Sequence, residues 1–482
     1  MHRLLPFALA AFVLAAPASA GGPKLLVGAA EDVVRQPTIV QAKAQLDLLS
    51  LAGLRAVRIT STWTPGLTEP TRDEQNAIDV VADAASLTGT RVFVAVSHRD
   101  WNTTPLTDSA RDEFAAYTAA IARENPTIRD FVIGNEPNLN RFWMPQFGDD
   151  GTSLSPAGYL TLLARTYDEL KEVSPKIQVI GGAVSPRGGD RAGGIRPTHS
   201  PTRFIRELGN AYRLSGRPLP IMDSFAIHPY QDNSSTPPGF AHPNNTTIAI
   251  ADYGKLVQLL GQAFDGTAQP GSTLPIVYGE FGVETTIPDA KSRLYAGKEP
   301  ESVKPVSIET QSQYYREALG MAFCQPNVTT FLFFHVVDEA NLDRWQSGMY
   351  YADGTPKASA AEVEKAARDT RGGVIAKCDG LALSPVGKVT YPTGKSLTKV
   401  PLKVKLTCDI DCKYRVRLER RPGGSTTLST RGNALAGVRT TVVLPARRIA
   451  RGSYRFTVTL TAPLNTGPPT NLASRPVSVK SP

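Results

Sequence analysis

Cysteine is scarce in this chain, with four residues in 482: Cys324, Cys378, Cys408 and Cys412. With no second Cys pair and no nearby histidine, Cys408 and Cys412 are a weak zinc signal, and no metal site is expected from them. Four thiols allow three pairings. Cys324 with Cys378 and Cys408 with Cys412 is the favoured one, and it requires Asp409-Ile410-Asp411 to turn, because an extended strand would hold the second pair too far apart. Long apolar runs are missing as well: after residue 20 nothing approaches the ~20 residues of a membrane helix, so no insertion is expected. The earlier run from Leu4 to Ala16 follows His2 and Arg3 and ends in Ala18-Ser19-Ala20 before two glycines. That is the pattern of a secretory signal peptide spanning 1–20, with no Cys behind it to carry a lipid. It implies a secreted, extracellular or cell-wall associated protein in which disulfides persist. Also lacking are a Walker loop, a Gly-x-Ser-x-Gly elbow and a His-Glu-x-x-His helix, which removes the commonest nucleotide, serine-hydrolase and zinc-protease arrangements.

What is present is an ordinary globular composition, 41% hydrophobic and 20% charged, which excludes wholesale disorder and filaments. Acidic residues thin out near the end. Residues 381–482 hold 18 Lys and Arg against 3 Asp and Glu, a charge of +15, and the remaining residues carry −6. The same hundred residues lack Trp and His. Lys403 to Leu406, Tyr414 to Leu418 and Tyr454 to Leu460 alternate with a period of two, and Pro-Gly and Gly-Ser breaks separate them. This predicts a small all-β sandwich, immunoglobulin- or fibronectin-like, over 385–482, joined by a linker at 373–384. A surplus of that size implies attraction to polyanions such as an anionic cell-wall polymer, with a merely solvated surface as the alternative.

Residues 21–372 read differently. Short β-rich runs begin near Leu25, Ala56, Arg91, Asp130, Ile177, Met222, Pro275 and Thr330, and helical periodicity lies between them, as in Thr71 to Leu87 and Ile308 to Phe323. Eight such units in ~350 residues predict a (β/α)8 TIM barrel, and the first turn, Gly28-Ala29-Ala30-Glu31, is no nucleotide loop. In a barrel, chemistry sits past the C-terminal strand ends. The rare polar residues fall there: Arg58 on the second strand, His98 after the third, Asn135-Glu136-Pro137 after the fourth, His228-Pro229-Tyr230 after the sixth, Tyr278-Gly279-Glu280-Phe281-Gly282 on the seventh and His335 after the eighth. Glu136 and Glu280 would face each other across the mouth. Glycosidic bond cleavage needs such a pair, one carboxyl to protonate the leaving oxygen and one carboxylate to attack or to activate water.

With those residues in place, the region from 25 to 357 resembles the clan A glycoside hydrolases, and its polar set is most similar to family 5. The resemblance implies a retaining enzyme that needs no cofactor. Glu136 would be its acid/base, Asn135 would bind the sugar 2-hydroxyl, Glu280 would be the nucleophile steadied by Arg58, and His228 and Tyr230 would line the site, with His98 beside them. The segment Gly348 to Lys357 is similar to the one that leads into the family's last helix. One position departs: the family usually carries a Trp at the end of strand eight, and here His335 stands in that neighbourhood, with Trp345 available from the loop.

Competing readings attach to several residues. Asn-Glu-Pro alone is also a helix start, Glu284 is a rival nucleophile deeper in its loop, and Glu31 and Asp32 read as solvated loop carboxylates. His98, His228 and His335 could converge on zinc, but barrel metallohydrolases usually carry a His-x-His pair on strand one, which is missing here. Trp63, Trp101, Trp143 and Trp345 all follow predicted strands, and at least two are expected to be sugar-stacking platforms. The expected partner is a carbohydrate, not nucleic acid. The alternatives in other classes are a non-catalytic carbohydrate- or cell-wall-binding protein on a retired barrel and an adhesion protein led by the basic sandwich.

Overall fold

The computed structural model describes residues 21–392, 401–445, 449–464 and 467–479. The expected signal segment, residues 1–20, lies outside them. Eight strands come first: β1 (Leu26–Ala30), β2 (Ala56–Trp63), β3 (Arg91–His98), β4 (Asp130–Ile133), β5 (Gln178–Val184), β6 (Ser224–Ile227), β7 (Ile276–Phe281) and β8 (Val328–Phe333). They run parallel in chain order, and β8 pairs with β1 from Leu26–Thr330 to Ala29–Phe333, which closes the barrel. Every strand start expected from sequence lies within two residues of the observed one.

A helix follows each strand: α1 (Ile39–Leu51), α2 (Arg72–Thr88), α3 (Asp108–Glu124), α4 (Ser155–Val173), α5 (Pro201–Ser215), α6 (Tyr253–Phe264), α7 (Ile308–Phe323) and α8 (Ala358–Gly372). Several start where a hydroxyl satisfies a free amide. Thr71 Oγ1 accepts from the N–H of Glu74 at 3.3 Å, and Ser307 caps α7 in the same way.

Barrel strands bury both faces, and the two faces have different neighbours. On β2, Ala56 points into the barrel with Phe93, Ala95, Val132, Ile180, Ala226, Val277 and Leu332. Val57, Ile59 and Trp63 point outward, into the layer shared with Leu46, Ile78 and Phe114 of the helices. Past the apolar plug the inward positions become polar: Arg58, Thr60 and Thr62 of β2 and Ser97 of β3 line a cleft of about 930 Å³ at the C-terminal end of the strands.

The remaining strands are β9 (Gly387–Thr390), β10 (Lys403–Cys408), β11 (Cys412–Arg421), β12 (Thr426–Ala434), β13 (Thr440–Val443), β14 (Gly452–Thr461), β15 (Thr470–Ala473) and β16 (Val477–Val479). A β13-β10-β9 sheet faces a five-stranded sheet in which β12, β11, β14 and β15 are neighbours and β16 pairs with β14. Their inner faces share a core of Val404, Leu406, Val416, Leu418, Phe456, Val458 and Leu460. Both expected disulfides form. Cys324, at the end of α7, joins Cys378 with Cα atoms 5.2 Å apart, and Cys408 joins Cys412 at 6.5 Å across the turn between β10 and β11. That turn meets the barrel: the N–H of Asp411 donates to the Gly372 carbonyl at 2.8 Å, and Ile410 packs into the barrel's outer core.

Candidate active site

Glu280 reaches the cleft through an irregularity in its strand. Ile276, Tyr278 and Phe281 all face the outer core, so strict alternation would send Glu280 outward with the first two. The register of β7 against β8 shifts between Tyr278 and Phe281, and the extra residue turns the carboxylate inward. Gly279 sits in the same irregularity, and a Cβ there would lie 3.0 Å from the His228 ring and 3.6 Å from Arg58. Glycine is needed because two buried side chains occupy that space.

Glu136 arrives by a left-handed backbone. Gly134 has φ 80°, and Glu136 itself has φ 41°, a conformation that is costly for a residue with a Cβ and that concentrates at functional sites. The surroundings hold it: Glu136 N–H donates to the Ala183 carbonyl at 2.9 Å. Two residues on, the buried Asn138 side chain accepts from Ser185 N–H at 2.9 Å and donates to the Ser185 carbonyl at 3.2 Å.

The two carboxylates share one histidine. His228 Nδ1 lies 3.1 Å from Glu136 Oε1 and 3.4 Å from Glu280 Oε2, so these oxygens are at most about 6.5 Å apart whatever the angle at nitrogen. His228 Nε2 faces Arg58 Nη1 at 3.4 Å. Ionised carboxylates only accept, so the Nδ1 proton of His228 faces them. Arg58 Nη2 pairs with Glu280 Oε1 at 2.5 Å, and the Tyr230 hydroxyl donates to Glu280 Oε2 at 3.0 Å. Burial pushes the Glu280 carboxyl up, but His228, Arg58 and the hydrogen bonds from Arg58 and Tyr230 together outweigh it. The group therefore titrates below the ordinary carboxylate range. Burial, followed by the charges of Glu280 and Glu136, pushes the Tyr230 phenol well above its usual value, which keeps it a donor.

Asn135 and His335 also line the cleft, and so does His98. The three histidines serve separate partners: His98 Nδ1 meets the Asp100 carbonyl at 2.9 Å, His335 Nδ1 meets the Ala30 carbonyl at 3.0 Å, and His228 bridges the glutamates. Burial holds the His98 imidazole below its ordinary range.

Of the four tryptophans expected near the mouth, Trp63 and Trp143 are buried and so cannot be platforms, while Trp345 lines the cleft. It stacks on Tyr230 with ring centroids 5.0 Å apart, which sets a flat apolar wall beside the residue that donates to Glu280. Trp63 is fully buried between β2 and α3, edge-on to Phe114, because it lies five residues from Arg58 and so on the opposite strand face. Trp143 is buried against Tyr159 and His98, and α4 makes room for it at Gly158, where a Cβ would lie 3.1 Å from the indole. Trp101 is half exposed, outside the cleft lining. Trp143→Ala should therefore lower stability by ~3–5 kcal/mol, whereas Trp345→Ala should melt near the parent and lose turnover on oligosaccharides. Thermal melts beside kinetics separate the two outcomes.

Other residues of the cleft carry no motif in the sequence. Phe334 follows Leu332 on the inward side of β8 and stands edge-on to Trp345 at 5.1 Å, so it is the aromatic at the strand-eight end. Arg187, after β5, lines the cleft and donates to the Gln231 carbonyl at 2.5 Å, in a loop where no pattern stands out. Glu284 lies in the cleft wall, held by Ser234 and Gln346, and burial pushes its carboxyl up to about 7. Among the described residues no cation forms an ion pair with it as Arg58 does with Glu280. Lys357, fully buried, braces this wall by pairing with Asp338 at 2.8 Å and donating to Thr285. Glu31 is not solvated: its Oε2 accepts from the N–H groups of Val336 and Val337, which fixes the β8 loop. Asp32 accepts from the Thr60 N–H at the cleft edge.

No protein-family model matches the sequence, and no curated protein matches it. Solved structures do. A GH5_18 protein of Streptomyces cattleya in complex with GlcNAc superposes with a TM-score of 0.50 at 15% identity, over 73% of this chain and 81% of that one. The two chains share a fold, the (β/α)8 barrel. A GH39 β-xylosidase of Caulobacter crescentus gives a TM-score of 0.45 at 16% identity over 89% of this chain and 95% of that one. A β-glucuronidase of Bacteroides uniformis gives 0.46 at 15% identity, over 96% of this chain and 47% of that one, so the present chain spans about half its length. No described helix is long and apolar enough to cross a membrane.

Proposed function

We propose that the protein is a secreted retaining glycoside hydrolase acting on a β-linked saccharide by double displacement. The observation that carries this reading is the pair of glutamates meeting at one nitrogen of His228, with Glu280 alone bound by Arg58 and Tyr230. Their close approach favours retention, which uses carboxyl groups ~5–5.5 Å apart, over inversion at ~6.5–9.5 Å, where a water must fit between.

In the first step a lone pair of the ionised Glu280 attacks the anomeric carbon, the glycosidic C–O bond breaks, and Glu136 gives its proton to the departing oxygen. Arg58 and Tyr230 hold Glu280 in position, so little reorganisation accompanies attack. In the second step Glu136 takes a proton from water, the hydroxide equivalent attacks the same carbon, and Glu280 leaves with its electron pair. No cofactor enters the balance. Asn135 supplies polar contact to the ring hydroxyls, and Trp345 and Phe334 supply its apolar wall. The two disulfides support residence in an oxidising compartment.

A panel of 4-nitrophenyl β-glycosides, followed by proton NMR of the first-formed sugar, tests the reading. The expected product is the β-anomer. Release of the α-anomer would replace retention by inversion, and absence of turnover across the panel would leave a carbohydrate-binding barrel instead.

A further inference from the structure

We propose that the outer face of the sandwich's five-stranded sheet is a binding site for a linear polyanion, with an anionic group seated between Arg415 and Arg431. This stands independently of the catalytic reading. The alternation of β11 decides which residues form the face: Val416 and Leu418 are buried in the sandwich core, so Lys413, Arg415 and Arg417 point the other way. The antiparallel register then places Arg415 directly opposite Arg431 of β12, with Lys413 opposite Asn433 one step along. Lys413, Arg415 and Arg431 are exposed, and with Arg417, Asn433 and Thr459 they line a concavity of about 600 Å³.

Like charges directly opposite on neighbouring strands repel and destabilise the pair. A surface built only for solubility would interleave acidic residues. On this face the acid is Glu419, and it is already engaged: it lies 3.5 Å from Arg417, accepts from the Thr457 hydroxyl at 3.1 Å and stands opposite Arg455 in the register. Among the described residues Lys413, Arg415 and Arg431 have no carboxylate partner, and the concavity they line contains none. An external anion relieves the repulsion that the protein leaves uncompensated.

The shape of the array points to a polymer. Successive outward residues on a strand are about 6.6–6.8 Å apart, so Lys413, Arg415 and Arg417 form a straight row of cations at even spacing. A chain with an anion on each repeat, whether carboxylate or phosphodiester, can meet several at once, and hydroxyls such as Thr459 flank the row for its neutral groups. Because these cations are exposed, the attraction is screened within about a Debye length and falls as salt rises.

Binding of the full chain to polygalacturonate, poly(glycerol phosphate) and neutral dextran tests the proposal by affinity electrophoresis at low and high salt. The decisive variants are Arg415→Thr with Arg431→Thr, where Thr retains strand propensity, and a control of equal charge loss outside this concavity, Arg439→Thr with Arg451→Thr. The parent is expected to be retarded by at least one anionic polymer and not by dextran, and the responding polymer names the anion. The face variant should lose about tenfold in affinity and the control less than about twofold, with unchanged melting and unchanged turnover of a small glycoside. Equal weakening in both variants would reduce the effect to net charge and overturn the site, as would failure to bind either polyanion.

Discussion

Glu280→Ala should remove turnover, a loss of roughly 10⁵-fold, while the fold remains intact. Glu136→Ala should behave differently on different substrates. Where the leaving group is dinitrophenolate, which departs without a proton, bond cleavage should stay fast and the glycosyl-enzyme should accumulate. Where it is a sugar hydroxyl, the rate should fall ~10²–10⁴-fold. Azide should partly rescue both variants with opposite stereochemistry on a β-linked substrate. With Glu136→Ala it attacks the covalent intermediate and gives a β-glycosyl azide, and with Glu280→Ala it replaces the nucleophile and gives the α-anomer. Full activity in Glu280→Ala would transfer the role to Glu284, which lies in the same cleft wall. The geometry favours Glu280, because the buried Arg58 and Tyr230 bind it directly and Glu284 has neither.

Arg58→Met should have the second largest effect, and its direction follows from what opposes what at Glu280. Burial alone would raise the carboxyl, and Arg58 is one of the groups that reverse this. Without the guanidinium, burial gains weight, the carboxyl titrates at higher pH, and the acid limb of kcat/KM should move upward. Stability should fall by ~3–5 kcal/mol near neutral pH, because a buried carboxylate loses its partner. The sign of the pH dependence is fixed by linkage. In the parent, a depressed folded pKa contributes stability that is present above the ordinary carboxylate pKa and is lost as pH falls through the folded value. The gap between parent and variant should therefore narrow in acid, where Glu280 is protonated in both. An acid limb that does not move would show that Glu280 is not the group whose ionisation limits the reaction.

Much of the barrel is legible in the sequence, since eight strand starts and the polar residues behind them follow from periodicity and from where rare residues fall. The tryptophans show the limit. Trp63 looks like a platform because it ends a strand, although its position five residues after Arg58 already puts it on the other strand face. Trp143 is beyond pattern, because it sits in a loop whose path depends on the room left at Gly158 of a distant helix. Phe334 is hidden in plain apolar sequence: it reads as one more core residue until the end of β8 is located.

The sequence by itself determined the alternation of buried and polar positions, the punctuation between strands and helices and the uneven charge, because each depends on local chemistry or on short spacing. Only the tertiary structure decided that Glu280 faces inward, through a register shift between β7 and β8, and that His228 stands between two glutamates 92 and 52 residues away. It also decided that Arg415 and Arg431 lie opposite each other, since strand register is a property of the pair and not of either strand. Contacts of this kind are set by how packed elements align, and one chain read in order does not carry that alignment.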